Sequence, residues 1–182
     1  MTTINYTIDK NDQLITQLFI ASKSERINNK RRKSRITSPI LFIFLGLISL
    51  ISNDYIPLLF LSICAVTYYF IYPKWESRYY IKHYKGIIQD KYGDKQSIQV
   101  KFEFDHDQLK VKDDLYESIV PSSAVKEFYE IAYAIFIILE DGQTLILPKD
   151  KLQNVAEIRA QFTELADHLK VNYHLEEEWE WK

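Results

Sequence analysis

Two uncharged apolar runs, separated by a short connection, constrain this chain more than any other feature of its sequence. The runs cover residues 39–51 and 56–72, and the polar residues Ser52, Asn53 and Asp54, followed by Tyr55, stand between them. With its flanking residues, each run is about 17 residues long, which is near the short limit for a helix that crosses a lipid bilayer. The pattern therefore predicts a transmembrane helical hairpin, with spans at about residues 36–52 and 56–72.

Two other interpretations of these runs fit the sequence less well. A helical hairpin in a soluble core normally keeps a polar face, and neither run has one. A signal peptide begins closer to the first residue and ends in a small-residue cleavage pattern, which does not follow the first run. Pro39 and Pro57 lie near the expected helix starts, where proline costs little because that amide has no intrahelical partner.

Basic residues flank both runs and predict the orientation of the hairpin. The connecting loop contains no Lys or Arg, so the positive-inside rule places both termini in the cytoplasm. A nucleic-acid patch is the alternative for residues 30–35, but their position against an apolar run favours a collar that attracts anionic lipid. We call seven of these basic residues the membrane collar: Lys30, Arg31, Arg32, Lys33, Arg35, Lys74 and Arg78.

The formal net charge of −2 divides sharply between the two halves of the chain. Residues 1–85 contain 12 Lys and Arg against 5 Asp and Glu, and residues 86–182 contain 11 against 20. The second half is therefore an acidic region of about 95 residues, which is long enough for one small core. The single cysteine, Cys64, lies in the second run and cannot form an internal disulfide, which is compatible with a reducing cytoplasm.

The N-terminal segment, residues 1–35, is predicted to hold a strand, a helix and most of the collar. Ile4, Tyr6 and Ile8 alternate with polar neighbours as in a strand, and Asp9 is suited to cap a helix that runs into the collar. After the hairpin at residues 36–73, Pro73 is expected to kink or end the second span. A stalk helix then follows at residues 74–93. Four aromatic residues are expected at the membrane interface: Tyr72, Trp75, Tyr79 and Tyr80.

Residues 94–182 are predicted to form an acidic β-rich domain with a C-terminal helix and an acidic tail. Apolar and polar residues alternate at 98–104 and 109–111, and shorter strands follow at 116–120, 125–130, 133–140 and 144–147. Asp141-Gly142 is typical of a two-residue hairpin turn. With the N-terminal strand, the pattern gives seven antiparallel strands.

One well-marked helix follows these strands. Asn154 and Glu157 form a predicted capping pair at its start. Its apolar face is continuous and comprises Val155, Ile158, Phe162, Leu165 and Leu169. The predicted fold class is an α+β membrane protein, in which a two-helix transmembrane hairpin carries an antiparallel sheet of pleckstrin-homology-like (PH-like) plan closed by the C-terminal helix.

The chain resembles the YcxB-like family of bacterial membrane proteins over most of its length. The local features that carry the resemblance are the alternating strand from Ile98 to Phe104 and the sequence Leu147-Pro148-Lys149 before the last helix. The family often has a tryptophan where Pro121-Ser122-Ser123 stands here. The resemblance implies an integral protein of the bacterial cytoplasmic (inner) membrane, multi-pass, of unassigned activity, and it supplies no catalytic residues.

Candidate catalytic and metal-binding residues form no convincing set. The four histidines lack metal-ligand spacing, and Asp105-His106-Asp107 is better explained as a polar turn than as a metal site. Ser122 and Ser123 do not lie in a nucleophile elbow, and the four glycines form no phosphate-binding loop. We therefore predict no enzyme activity and no catalytic, cofactor-binding or metal-binding residues.

The acidic tail at residues 176–182 contains Trp179 and Trp181. It is either a docking peptide that presents two tryptophans or a frayed end, and the second interpretation is favoured because chain ends are often poorly ordered.

Three functions from different classes remain open. The first is a membrane-anchored module whose acidic domain binds an unknown protein partner through an edge or a groove. The second is an immunity-type membrane protein that intercepts a toxin, and the third, least favoured, is an enzyme. Expected partners are membrane lipids and that unknown protein, with a possible homo-oligomer and no nucleic acid.

Overall fold

The computed structural model describes residues 2–52, 55–93, 95, 97–113 and 117–182, and it has an α+β fold. The chain divides into two compact units. The first, which we call the β unit, comprises Met1–Thr16 and Ile87–Glu180; the second, which we call the helical unit, comprises Gln17–Gly86 and Trp181–Lys182. The predicted loop residues Asn53 and Asp54, and the predicted strand start at Tyr116, lie outside the described residues.

The helices and strands follow one another in a simple order. They are β1 (Thr2–Asp9), α1 (Lys10–Lys23), α2 (Glu25–Ile48), α3 (Ile56–Tyr92), β2 (Ser97–Phe104), β3 (Gln108–Lys112), β4 (Glu117–Pro121), β5 (Val125–Ile131), β6 (Ala134–Leu139), β7 (Thr144–Pro148), α4 (Val155–Leu169) and β8 (Asn172–Glu176). Short 3₁₀ turns lie at Ser49–Ser52, Ser122–Ala124 and Lys149–Lys151.

The first sheet of the β unit is four-stranded and antiparallel, in the order β1-β2-β3-β4. Ile4 pairs with Phe102 and Tyr6 pairs with Val100, so the apolar residues of both strands share the face that packs in the core. The predicted N-terminal strand is thus confirmed, and so is its cap, because Oδ1 of Asp9 accepts a hydrogen bond from the Asp12 amide at 2.9 Å. Strand β1 is an outer strand of this sheet.

The second sheet is also four-stranded, in the order β7-β6-β5-β8. Strands β5, β6 and β7 are antiparallel as predicted, but β8 is an eighth strand and pairs parallel to β5. The predicted count of seven antiparallel strands is therefore wrong, because residues 172–176 form β8 after α4 returns the chain to the sheet. The length predicted for the turn at Asp141-Gly142, two residues, is also wrong. The connection runs over residues 140–143, with Gly142 at φ 84°.

The break predicted at Pro121-Ser122-Ser123 is confirmed, and it separates the two sheets. β4 ends at Pro121, a 3₁₀ turn follows, and β5 starts at Val125. Ser122 is fully buried there, where its amide donates to the Asp107 carbonyl at 2.8 Å and its hydroxyl donates to the Asp105 carbonyl at 3.0 Å. These bonds satisfy the polar groups that the interruption of the strands brings into the core.

Helix α4 has the predicted cap and the predicted apolar face. Oδ1 of Asn154 accepts a hydrogen bond from the Glu157 amide at 3.3 Å, and Nδ2 of Asn154 donates to the Glu157 carboxylate at 2.8 Å. Phe162, at the centre of the buried face, lies against Phe104 and Phe128, with ring centroids 4.8 and 5.6 Å apart. The helix therefore packs on residues of both sheets in a single core.

The helical unit contains α2 and most of α3, and here the helix start expected near Pro39 and the helix end expected at Pro73 are both wrong. Pro39 lies inside α2, which begins at Glu25 and is capped by the Ser24 hydroxyl. Pro73 lies inside α3, so the second span and the predicted stalk are one helix, which ends at Tyr92 before Gly93 as expected. A proline in a helix interior removes one backbone hydrogen bond, and apolar membrane helices tolerate that loss when neighbouring groups compensate.

The two helices approach each other closely at Gly46. A Cβ atom added to Gly46 would lie 3.1 Å from Cδ1 and 3.2 Å from Cα of Leu58. Ala65 in α3 is also buried, at 3% exposure. Small residues at these positions let the backbones of α2 and α3 come together.

Candidate functional site

Helices α2 and α3 expose apolar side chains along their most apolar stretches. Each passes the length and composition criteria for a membrane span, yet only 6% of the most apolar stretch of each helix is buried within the protein. Phe44, Phe60 and Phe70 are 60%, 64% and 68% exposed. A core helix of a soluble protein would bury such residues, so the arrangement supports membrane association, as the sequence predicts.

The predicted interfacial aromatics form part of a continuous column of rings along α3. Tyr68 stacks on Tyr72 at a centroid distance of 4.8 Å, and Tyr72 contacts Trp75 at 5.8 Å. Trp75 stacks on Tyr79 at 5.8 Å, and Trp75 and Tyr79 are more than half exposed. Exposed amphipathic rings in a row match the side chains that enrich the headgroup region of a bilayer.

The fourth predicted aromatic residue, Tyr80, lies on another side of the helix and faces the membrane collar. The guanidinium of Arg31 lies 5.8 Å from the centroid of the Tyr80 ring and 4.6 Å from that of Trp181. The indole of Trp181 donates a hydrogen bond to the Ser77 carbonyl at 3.3 Å. The frayed-end interpretation of the tail is therefore wrong for Trp181, because these contacts hold its ring in place.

A buried carboxylate, Glu76, anchors the same cluster. Its Oε2 lies 3.2 Å from Nε of Arg31, and its Oε1 accepts a hydrogen bond from the Tyr72 hydroxyl at 3.2 Å. We call Arg31, Glu76, Tyr80 and Trp181 the Arg31 cluster. It joins one collar residue to one predicted interfacial aromatic, Tyr80, and Glu76 links it to a second, Tyr72, so part of the collar is an internal contact of the protein.

The remaining collar residues have different surroundings. Arg35 lies over the ring of Tyr69, with 4.3 Å between its guanidinium carbon and the ring centroid. Five collar side chains are exposed to solvent: Lys30, Arg32, Lys33, Lys74 and Arg78. These five are the collar residues free to face lipid headgroups.

An apolar groove of about 560 Å³ lies on the helical unit beside the aromatic column. Phe42 of α2 lines it, together with Cys64, Thr67 and Tyr68 of α3, and Trp75 lies at one end. Its lining is almost wholly apolar, as expected for a surface that contacts lipid chains or other apolar helices.

Glu130, on β5, is a fully buried carboxylate of the β unit. Its carboxylate accepts hydrogen bonds from Nε of Arg159 at 2.9 and 3.0 Å, and it lies 2.6 Å from Nζ of Lys149. The Tyr173 hydroxyl donates to it at 2.5 Å. Burial alone would raise the pKa of Glu130, but these hydrogen bonds outweigh that effect and lower it to about 2. Every oxygen of the carboxylate is therefore engaged, which suits a structural tie and leaves no free base for chemistry.

A second ion cluster ties the N-terminal segment to the second sheet. Lys151 lies 2.7 Å from the Asp9 carboxylate and also contacts that of Asp12. The same two aspartates cap α1, because the Asp9 amide donates to Oδ2 of Asp12 at 2.8 Å. Lys151 thus fixes the junction of β1 and α1 within the β unit.

A polar groove runs between the outer edge of β1 and helix α4. One hollow of about 250 Å³ is lined by the four consecutive residues 2–5 of β1 and by Asn154, Glu157 and Gln161. An adjoining hollow of about 220 Å³ shares Thr2 and Gln161 and extends to Asp105, His106 and Glu164. We call this feature the β1–α4 groove. The sequence analysis missed it, because no local pattern shows that β1 becomes an edge strand beside α4.

The described histidines of the β unit do not belong to a group of side chains arranged to bind a metal ion. His106 and His168 have ring centroids 4.9 Å apart, and Oδ1 of Asp105 accepts hydrogen bonds from the Asp107 and Gln108 amides at 3.0 and 2.9 Å. The polar turn predicted at residues 105–107 is confirmed. Within the described part of the chain, no group of three or more His, Cys, Asp and Glu residues is arranged to hold a metal ion.

Comparisons with protein-family models, with curated proteins and with solved structures found no match to this chain. The function of the chain is therefore inferred from the residues and geometry of its two units.

Proposed function

We propose that this chain is a membrane-tethered cytoplasmic module that binds a protein partner, and that it is a YcxB-like protein with a PH-like domain. In this proposal α2 and α3 enter the bilayer as a hairpin. The exposed collar residues, such as Lys33 and Lys74, stay at the cytoplasmic surface, and the β unit is presented to the cytoplasm.

The observation that carries the proposal is the exposure of the apolar helices. Leucine, isoleucine and phenylalanine side chains cover their surface, and Ile40, Leu59 and Phe60 are each more than half exposed. Transfer of such side chains from water to an apolar medium is worth about 1.5–3 kcal/mol each. A bilayer supplies that medium, and the aromatic column and the collar suit its interface.

The binding role rests on the character of the β unit. Residues 86–182 carry a net charge of −9, which disfavours anionic headgroups as the ligand and favours a cationic partner. Glu130 has no free oxygen for catalysis, since four hydrogen-bond donors from three side chains reach it. An edge strand with a groove beside it, in contrast, is a recognised way to bind extended peptides.

Alkaline carbonate extraction of membranes from cells that express the full chain tests the tether. The proposal expects the chain to stay in the membrane pellet, whereas release into the supernatant would contradict it. Flotation of the purified full chain with neutral vesicles and with anionic vesicles tests whether the tether needs lipid charge. The proposal expects flotation with both kinds of vesicle, because the hairpin anchors the chain.

A further inference from the structure

We propose that the β1–α4 groove binds an extended, lysine-rich peptide segment of another protein, which adds as a strand to the free edge of β1. This inference deepens the proposed function by assigning the binding site and the chemistry of the partner, and it rests on that function only for the cellular setting.

The outer edge of β1 pairs with no strand among the described residues. Its inner edge pairs with β2 along the full strand, from Thr2 with Phe104 to Asp9 with Ser97. Its outer edge has no hydrogen-bonded neighbouring strand in the described sheet, and β7 comes near β1, with Lys151 just after β7 in contact with Asp9 at the far end of β1. Side chains of a strand alternate between two faces, so a hollow lined by four consecutive residues, 2–5, exposes the backbone edge itself. Unpaired backbone N–H and C=O groups along such an edge are a template for another strand.

On the α4 side of the groove, Gln161 has a hydrogen-bond acceptor that is not satisfied. Oε1 of Gln161 is buried and has no hydrogen-bond partner among the described residues, while Nε2 of the same amide donates to Glu157 at 3.5 Å. A buried polar atom without a partner costs free energy. Gln161 lines both hollows, and rotation of its side-chain amide would bring Oε1 to a donor in the groove, such as a backbone N–H or an ammonium group, which would remove that cost.

The groove is lined by acidic side chains. Glu157 and Glu164 are exposed acidic residues of α4 that line the groove, and neither pairs with a basic side chain in the described residues. Asp105 lies at the far end, where hydrogen bonds from the Gln108 and Asp107 amides lower the pKa of its carboxyl and keep it ionised. Lysine side chains on alternate residues of an added strand would face this acidic wall.

The shape of the groove suits a strand. Its two adjoining hollows, of about 250 and 220 Å³, form an elongated feature. Their lining is polar, and they share Thr2 and Gln161, so together they follow the direction of β1.

The test is a binding titration with the full chain in nanodiscs of phosphatidylcholine alone, because a neutral bilayer does not attract a cationic peptide. The probe is a nine-residue peptide that alternates valine with lysine, labelled with a fluorophore for anisotropy. Two control peptides have glutamate in place of lysine, or N-methyl groups on alternate amides to block strand pairing. We expect binding of the lysine peptide and at least a ten-fold loss for either control.

Matched variants locate the site. The triple variant Glu157→Gln, Gln161→Leu and Glu164→Gln is expected to bind the peptide at least ten-fold more weakly. The control Glu140→Gln and Glu178→Gln removes the same number of exposed charges elsewhere and is expected to bind within two-fold of the unchanged chain. Hydrogen exchange of the β5 amides in each variant checks that the β unit remains folded.

Four results would overturn the inference. They are no binding of the lysine peptide, equal binding of the N-methylated peptide, equal weakening by both sets of variants, or a β1-to-β1 dimer that excludes the peptide. A chain that stays in membranes after carbonate treatment but binds no peptide would refute this inference alone. A chain that carbonate releases would refute the proposed tether, whatever the peptide does.

Discussion

Glu130 and Arg159 form a bidentate ion pair, in which Nε of the arginine lies 2.9 Å from Oε2 and its Nη2 contacts Oε1 of a carboxylate with no solvent exposure. The pair connects β5 to α4, and Lys149 and Tyr173 join it from the end of β7 and from β8. The buried Glu130 carboxylate thus links β5, β8 and the end of β7 to α4. Its replacement should therefore lower the stability of the β unit.

Replacement Glu130→Ala should destabilise the β unit more than any exposed acidic substitution. Loss of one partner from a buried ion pair leaves the others uncompensated, which costs about 3–5 kcal/mol. Hydrogen exchange of the β5 and β6 amides in the full chain should accelerate by roughly 100-fold or more, since each 1.4 kcal/mol corresponds to about a factor of ten. The control Glu140→Ala, on an exposed turn, should leave exchange unchanged; a similar acceleration in both variants would contradict the assigned role of Glu130.

The pH dependence of stability should also report Glu130. Its pKa in the folded state, about 2, lies below the ordinary value of 4.5, so its ionised form favours folding. That contribution is complete above the unfolded-state pKa and is lost as the pH falls from about 4.5 to about 2, with a total of about 3 kcal/mol. Unfolding of the full chain at a series of pH values, compared with Glu130→Gln, measures it. The variant should lose less stability between pH 5 and pH 2.5 than the unchanged chain, and parallel curves would refute the assignment.

The close contact of Gly46 with Leu58 predicts that a large side chain will separate α2 from α3. Gly46→Ile should destabilise the helical unit by about 1–3 kcal/mol, because the Cα of Leu58 lies 3.2 Å from the added Cβ and cannot move without its helix. Gly86→Ala is the matched control, since nothing lies within 4 Å of its added Cβ. Thermal unfolding in detergent micelles should give a lower midpoint for Gly46→Ile and an unchanged or higher midpoint for Gly86→Ala. An unchanged midpoint for both would mean that the helices do not meet at Gly46.

The Arg31 cluster predicts that Trp181 is shielded from solvent by a collar residue. In a background with Trp75→Phe and Trp179→Phe, the remaining indole reports its own exposure through acrylamide quenching. Arg31→Ala should increase the quenching constant, because it removes the guanidinium that lies 4.6 Å from the ring and its contact with the Lys182 carbonyl. Arg32→Ala, an exposed neighbour in the collar, should have no effect. Equal quenching in both variants would show that Trp181 does not depend on Arg31.

Local patterns predicted most of the secondary structure in this chain. The alternation of Ile98, Val100, Phe102 and Phe104 predicted β2, and the capping pair of Asn154 and Glu157 predicted the start of α4. These signals are local, so they act through neighbours in the sequence. The helix boundaries expected at Pro39 and Pro73 were wrong for a related reason. A proline weakens a helix locally, but the surroundings of the helix decide whether it continues.

Contacts between residues that are far apart in the chain could not be predicted from the sequence. Strand β8 was missed because residues 172–176 pair parallel to β5 and border an acidic tail, so they have no adjacent hairpin partner. Glu130 meets Arg159 and Lys149 only after three elements pack, and Arg31 meets Glu76 only across the hairpin. The β1–α4 groove likewise exists because the first and last parts of the β unit come together.

Thiol labelling in intact cells tests the membrane hairpin most directly. In a Cys64→Ser background, Tyr55→Cys places a thiol beside the inter-helix loop and Glu178→Cys places one after β8, both at exposed positions. With a membrane-impermeant maleimide, the account predicts labelling of the first thiol in intact cells and of the second only after lysis. Labelling of the second thiol in intact cells, or protection of both until lysis, would contradict it.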